Sequence, residues 1–490
     1  MAFLPVILWS DVLIWLLFVA AGVFGWLSLR NPLWRTAWQR VGRSRSGMAS
    51  ATVLLVFVLV GLLDSLHYRP RLENDAGHLA SSDAVPGESA AGKPPAAYAV
   101  EVLSLLDAIL TPLRTRNEKT YSEPLATRAY AKESIESRDA AGELQKTRDY
   151  PRLKHGGIHL GADEAGRDAD IGQRLLRALA LAILAWWALA AATAARLAHR
   201  EACAHREAWR RIWSNESDFA WNAVLAAAGA VLLVALPLGM LAVHYHVFGT
   251  DKVGQDVLYQ VLKSVRTALV IGLVTTLVTL PLSIFLGVLA GYFRGWVDDL
   301  IQYLYTTLSS IPGVLLIAAA VLMMQVLIDN HPQWFATAAE RADLRLLALC
   351  FILGVTSWTG LCRLLRGETL KLRELEYIQA AQAFGVADLR IIGRHILPNL
   401  MHIVIIALVM DFSSLVLAEA VLSYVGIGVD PTMISFGTMI NNARMELARE
   451  PMVWWSLAAA FVFMFALVLA ANLLADAVRD AFDPRIAGSA

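Results

Sequence analysis

Apolar runs of about 20 residues recur along this chain, each long enough to cross a bilayer as a helix. No other feature limits the fold as much. Backbone amides and carbonyls in lipid find no water and must pair within their own segment, so such runs are helices. They fall at 4–29, 48–66, 173–196, 219–245, 266–291, 301–328, 344–362, 400–425 and 453–476. The pattern predicts an all-α polytopic membrane protein with about nine transmembrane helices. Composition agrees: 57% of the 490 residues are hydrophobic and only 17% charged, where a soluble chain carries about a quarter. The formal net charge is zero, so no global field favours nucleic acid; the expected surroundings are membrane lipid.

Lys/Arg bias in short loops sets orientation. The loop after the first run holds Arg30, Arg35, Arg40, Arg43 and Arg45 without an acid. The stretch 196–218 holds Arg196, Arg200, Arg206, Arg210 and Arg211, and 363–399 holds Arg363, Arg366, Lys371, Arg373, Arg390 and Arg394. Nine spans place all three loops in the cytoplasm, with an external N-terminus and a cytoplasmic C-terminus. The first run carries Asp11 and has its positive charges after it. It therefore reads as an uncleaved anchor rather than a signal peptide.

Four regions follow: 1–66, two helices and a basic loop; 67–172, an external insert; 173–218, an extra helix and loop; and 219–490, the remaining spans. The insert begins with the Pro/Gly/Ser/Ala bias of a flexible linker. Ala99–Leu113 then shows helical apolar spacing. Cys203, Cys350 and Cys362 are scattered without CxxC spacing and read as structural. His155 and His159 in HGGIH are a possible ligand pair, but the intervening glycines oppose a helix and no third ligand is evident. No metal or cofactor is expected.

The polar segment EYIQAAQAFGVADLRIIGRHILPNL, Glu376–Leu400, lies between two spans. Leu372, Leu375, Ile378, Ala381 and Gln382 share one helical face, while Glu374, Glu376 and Gln379 point elsewhere. Ala380 and Ala381 keep the surface low. Gly385 permits a turn that a Cβ would resist, Asp388 can start a second short helix, and Pro398 suits the first turn of the next span. The spacing predicts a cytoplasmic helix–turn–helix fixed at both ends, able to pass a push from a soluble partner into the spans. A purely structural amphipathic loop is the plainer alternative.

The order Gln379-Ala380-Ala381, Gly385, Ile396-Leu397-Pro398-Asn399 resembles the EAA loop of ABC-importer permeases, specifically the dipeptide/oligopeptide/nickel group. Gln379 stands where that loop usually has Glu. GTDKVGQDVLYQVLKSVRTAL (Gly249–Leu269) resembles the family's GTD segment, with Gly249, Thr250, Asp251, Gly254 and Asp256 in register. Gln255 replaces the usual Arg, and Tyr259-Gln260 the common Ser-Arg. LAGYFRGWVDDLI, LSYVGIGVDPTMISFGTMI and LLADAVRDAFDPRI resemble further family segments in order, so the resemblance covers 219–490.

It implies a type I importer permease core formed by the last six spans, with an EAA-like loop at 368–398. Glu376, Gln379, Ala380, Ala381, Gly385, Arg390, Arg394 and Pro398 would then carry ATPase coupling. It also implies a second homologous permease, two ATPase subunits or domains on other chains, a periplasmic substrate-binding protein, and a bacterial inner membrane. The chain lacks GxxxxGK[ST], so ATP hydrolysis is expected elsewhere. Di- or oligopeptides are the implied cargo; nickel and antimicrobial peptides are the other candidates.

The N-terminal half departs from the family. Asn31–Leu63 itself resembles the usual first span, and Gly161–Asp168 resembles a degraded GTD segment. These suggest an internal duplication and leave open which copy packs as the first core helix. Asp411 and Glu419 fall inside a span, where carboxylates are candidates for the translocation path; for Glu419 a satisfied interhelical bond is an equal alternative. The rival functions are an intramembrane enzyme, and a degenerate permease with a regulatory or assembly role.

Overall fold

A computed structural model describes residues 3–30, 32–71, 98–138, 144–161, 164–214, 219–335 and 337–482. The linker-like residues 72–97 and the DPRI tail lie outside them. Strand β1 (Phe3–Val6) leads into α1 (Trp9–Arg30), α2 (Pro32–Arg43) and α3 (Arg45–Asp64). The insert contributes β2 (His67–Pro70), β3 (Leu103–Ser104), α4 (Leu105–Ile109), α5 (Thr111–Thr115) and the hairpin β4 (Glu133–Arg138)–β5 (Leu144–Asp149). Next come α6 (Arg167–Arg200), α7 (His205–Ser214), α8 (Trp221–Ala242), α9 (Val257–Phe293), α10 (Gly295–Ser310), α11 (Gly313–Asp329), α12 (Ala338–Ser357) and α13 (Thr359–Arg373). The chain ends with α14 (Glu376–Ala383), α15 (Asp388–Ile391), α16 (Leu397–Tyr424), α17 (Phe436–Glu446) and α18 (Trp455–Phe482).

Among the described residues, seven helices are long and apolar enough to cross a membrane, and nine spans result when each bent pair counts as one. The fold is all-α and polytopic, as expected. Three spans differ in detail. The first starts at Trp9, because Phe3–Val6 pairs antiparallel with His67–Pro70 as an edge of the insert. The run 301–328 is two helices, α10 and α11, meeting at 88°. Pro312 forces this break: it bars Ile311 from helical geometry, and Ile311 is extended at φ −90°, ψ 132°. The next span bends by 40° between α12 and α13.

α9 is the spine of the bundle, packed by α13, α12, α16, α3 and α10. Its Gly287 and Gly291 lie against the Cys362 and Arg366 carbonyls of α13, where a Cβ would sit only 2.8 Å from each oxygen. Small residues at such a crossing let two backbones approach and gain packing. Of the two candidates for the first core helix, α3 is the one that lies on both α9 and α18. α8 lies on the far side of α3 and pairs chiefly with α6, where Trp186 donates its indole N–H to the Leu225 carbonyl at 2.8 Å. The aspartates that close the two GTD-like segments are placed differently. Asp256 caps α9 through the Leu258 and Tyr259 amides, whereas Asp168 sits inside the first turn of α6, bonded to Arg167.

The helix expected across Ala99–Leu113 is confined to Leu105–Thr115 and split in two. Ser104 starts it with a reciprocal capping box to Asp107. The residues before Leu105 instead pair in β3 and at Tyr98–Arg71.

Candidate functional site

The polar segment between α13 and α16 folds as a lever clamped at its base. Leu375 is extended at φ −71°, ψ 139°, which ends α13 and starts α14 in a new direction. From α14, Ile378 is fully buried with Ala381 beside it; from the returning arm, Ile391 and Ile396 are fully buried in the same cluster with Val288 and Tyr292 of α9. Leu375, placed on the inward face by its spacing, is exposed instead, because it forms the break rather than the helix. Ala380 and Ala381 part company: Ala380 faces outward with Glu376 and Gln379, while Ala381 packs inward.

Gly385 makes the turn at φ +73° with open space around it, so backbone conformation alone demands glycine there. On either side the tip exposes two large apolar residues, Phe384 at 87% and Leu389 at 80%. The second arm is not a separate helix. α15 runs through a π turn, Ile392–Ile396, straight into α16, with Pro398 in the first turn beyond it. Asp388 does not cap α15; Ala387 is the N-cap residue. Its Oδ1 accepts the Tyr292 hydroxyl at 2.7 Å, and Gln382 donates to that same hydroxyl at 3.2 Å. Arg294–Glu374 and the bidentate Arg366–Asp298 pair, at 2.5 and 2.7 Å, tie the neighbouring helix ends together. Arg390 and Arg394 are exposed, and Gln379 bonds back to Glu374.

The GTD segment lies at the opposite end of the bundle and grips the insert. The Glu118 amide bonds the Gly254 carbonyl at 2.9 Å, and Gly254 takes φ +78° against the Glu118 backbone, where a Cβ would collide. The Thr250 hydroxyl donates to the Thr120 carbonyl at 2.9 Å and accepts the Ser122 amide at 2.8 Å. Gly249 packs by Ser122 and Trp455, and Asp251 accepts the Val253 and Gln255 amides. Beneath this, His246 is buried between two carboxylates, 2.7 Å from Asp256 and 3.3 Å from Glu118. Burial alone would lower the imidazole pKa, but the Asp256 and Glu118 carboxylates raise it to about 9. Burial opposes ionisation of Glu118 as well; His246 and the amides of His155, Lys154 and Gly156 bring it down to about 2.

Of the two intramembrane carboxylates, Glu419 is buried and satisfied, accepting the Ser423 hydroxyl at 2.6 Å and that of Ser435, the N-cap of α17, at 2.9 Å. Asp411 is partly exposed, and its side chain has no hydrogen-bond partner among the described residues. His155 and His159 diverge: His159 bonds Asp170 at 2.8 Å and lies tilted against the His244 ring, while the His155 amide serves Glu118.

Sequence reasoning passed over Tyr292, which lies in a recognised motif, and over the buried Arg266 of α9. Arg266 donates to Asp11 at 2.7 Å, and Asp11 in turn lies 2.7 Å from His67. A lone arginine in an apolar run was the available signal.

This architecture is a helical bundle of membrane-spanning length with a polar segment clamped at one end and an organised loop at the other. Residues 283–488 match the family described as binding-protein-dependent transport system inner membrane component. The glutathione transport system permease protein GsiD of Escherichia coli is 33% identical over 243 residues, spanning 50% of this chain and 73% of that protein. The oligopeptide transport system permease protein OppC of Mycobacterium bovis is 32% identical over 239 residues, 49% and 76% of the respective chains. A solved inward-facing MetNI methionine ABC transporter superposes with a TM-score of 0.34 at 17% identity, covering 46% of this chain and 96% of that one. The chain belongs to the inner-membrane permeases of ABC importers, in the group that includes the peptide permeases, and is a multi-pass inner-membrane protein.

Proposed function

We propose that this chain forms half of a translocation path for di- or oligopeptides and couples to ATPase subunits through the 368–398 lever. One observation carries the reading: an exposed apolar tip, Phe384 and Leu389 around Gly385, stands on a base buried against α9. Exposed pairs of large apolar residues on a rigid support are what a soluble partner's cleft can grip. Glu376, Gln379 and Ala380 line the outward face of the first arm, with Arg390 and Arg394 on the second. Pro398 and the π turn join that second arm to α16. A push on the tip therefore reaches α9 through Tyr292 and α16 through continuous helix.

In this reading the ATPases lie on other chains, a second homologous permease completes the path, and a periplasmic binding protein delivers cargo. The peptide cargo is supported by the names of the GsiD and OppC relatives. The transporting unit is α3 with α9–α18. Helix α1, the insert and the α6–α8 pair enlarge it, with the GTD segment (Gly249, Thr250, Asp251, Gly254, Asp256) anchoring the insert. An external N-terminus and cytoplasmic C-terminus are supported by the meeting of basic loops on one side, where the Ala220 amide bonds the Gly42 carbonyl and Trp38 packs on Phe482 near the end of α18.

The test is cysteine crosslinking from Ala380, after replacing Cys203, Cys350 and Cys362, to the ATPase encoded beside this chain. A nucleotide-dependent crosslink is expected. A correctly inserted protein that crosslinks to no ATPase would overturn the coupling role and favour a degenerate permease.

A further inference from the structure

Glu374 stands where its own helix gives a carboxylate no support. It is the C-cap residue of α13, at the end where the macrodipole is negative and favours cations. Lys371 and Arg373 in the last turn follow that rule; Glu374 breaks it. Three contacts hold the acid there. Its amide bonds the Leu372 and Lys371 carbonyls, which fixes the backbone. Arg294, at the junction of α9 and α10, donates to Oε1. The Gln379 side-chain amide donates to Oε2 at 3.3 Å, and at the same distance to the Glu374 carbonyl.

The carboxylate stays open to a partner. Its side chain is 55% exposed, next to Gln379 on the outward side of the lever. A carboxylate has about four acceptor positions, and Arg294 and Gln379 take one each. Glu376 is also exposed on that side, but no hydrogen bond or salt bridge holds it among the described residues. Residue 379 has to be uncharged for this arrangement. An acid there would bring two carboxylates to the 3.3 Å that now separates an amide from an acid, and like charges so close oppose each other's ionisation. Gln379 and Glu374 therefore act as one unit with a single negative charge, carried by the earlier residue.

We infer that Glu374, held by Arg294 and Gln379, is the acidic contact through which the lever meets a cationic or N–H donor group of an ATPase subunit. The inference rests on the coupling role proposed for the lever and adds the charged residue that sets its register. An acid already fixed by two donors loses little side-chain freedom when the partner arrives. The apolar tip supplies grip without direction, whereas a charged contact steers the approach and rejects a wrong surface.

The experiment is a charge-exchange cycle in the full-length chain, paired with its second permease in lipid nanodiscs and titrated with the ATPase. The readout is the ATPase concentration giving half-maximal nucleotide-dependent crosslinking from Ala380→Cys. Glu374→Gln should raise it about three- to fivefold, the upper range for an exposed charged contact, and should flatten its dependence on salt. Gln379→Glu alone should raise it too, because the two acids repel. Glu374→Gln combined with Gln379→Glu keeps one acid and one amide and should return it to within about twofold of native. Arg294→Gln leaves the acid in place and should cost less than Glu374→Gln. A combined variant no better than Glu374→Gln overturns the inference. So does Arg294→Gln matching Glu374→Gln at every salt concentration, which would make Glu374 only a tie between helix ends. A native chain without the crosslink fails the coupling reading itself; a native crosslink that Glu374→Gln leaves unaltered fails this inference alone.

Discussion

The Tyr292 hydroxyl at the end of α9 donates to Asp388 Oδ1 at 2.7 Å, joining the bundle's central helix to the returning arm of a lever 96 residues later. Gln382 of the first arm donates to the same hydroxyl at 3.2 Å, so one oxygen holds both arms. Tyr292→Phe keeps the ring in its cluster and removes only that oxygen. Leaving a charged acceptor and an amide without this partner costs about 1–3 kcal/mol locally. Peptide-stimulated ATPase activity of the assembled transporter should fall several-fold while membrane insertion, read by protease protection, is unchanged. Full stimulation with Tyr292→Phe would mean the hydroxyl plays no part in coupling.

Gly385→Val addresses the tip. The φ of +73° costs a residue with a Cβ about 1–2 kcal/mol, and more when it is β-branched. Space is not limiting, since nothing lies within 4 Å of a Cβ built there. The chain should therefore insert and fold while the Phe384–Leu389 tip is reshaped and transport is abolished. Uptake at the native rate would remove the account of this turn. Gly385→Asn, which tolerates the left-handed region, should retain part of the activity.

What could be read from residues, and what could not, divides along physical lines. Spans were legible because lipid imposes a length and a polarity on each, and Gly385 because its turn is local. The break at Pro312 was visible in the sequence as SSIPG, but hydropathy alone runs across it. Asp388 looked like a helix cap because capping is judged from neighbours in sequence; a hydroxyl from α9 claims it instead. Leu375 kept its apolar character but lost its place on the buried face when φ and ψ turned the chain there. The packing of α3 in place of α8 on α9 and α18 is a choice between two similar segments, and only tertiary contact decides it. The Glu118–His246–Asp256 set draws on residues up to 138 apart, which no local pattern announces.

That set makes the grip on the insert depend on pH. His246 has its pKa raised to about 9, so its contribution is fully present below the ordinary histidine value near 6.5 and is lost as pH climbs through about 9. Glu118 has its pKa lowered to about 2, so its contribution is present above about 4.5 and is lost as pH falls toward 2. Limited proteolysis of the insert should therefore be slowest between about pH 4.5 and 6.5 and should accelerate on the alkaline side. His246→Gln should flatten that alkaline limb. An unchanged limb in the variant would assign it to another group.

Arg266 and Asp11 provide a test of how α1 is held. Arg266 is buried, donating to Asp11 Oδ1 at 2.7 Å and to Ser10 at 2.8 Å. Removing one member of a buried pair strands the other and typically costs about 3–5 kcal/mol. Asp11→Leu should thus lower the detergent melting temperature markedly. Asp11→Leu with Arg266→Met should recover the part of the loss due to the stranded guanidinium, while His67 still lacks its carboxylate partner. A double variant no more stable than Asp11→Leu would show that the helices depend on the ion pair itself.

The two carboxylates of α16 should separate into a transport role and a structural one. Glu419 bonds Ser423 and the N-cap Ser435, so it fixes α17 to α16. Glu419→Ala leaves two buried hydroxyls without their acceptor and should destabilise by about 1–3 kcal/mol. Glu419→Gln keeps an acceptor oxygen and should cost less. Asp411 has no side-chain partner among the described residues, so its substitution removes no bond among them. If Asp411 faces the path, Asp411→Asn should change uptake several-fold with the melting temperature held, the reverse of the Glu419→Ala pattern. Equal uptake in Asp411→Asn and native protein would take Asp411 out of the path.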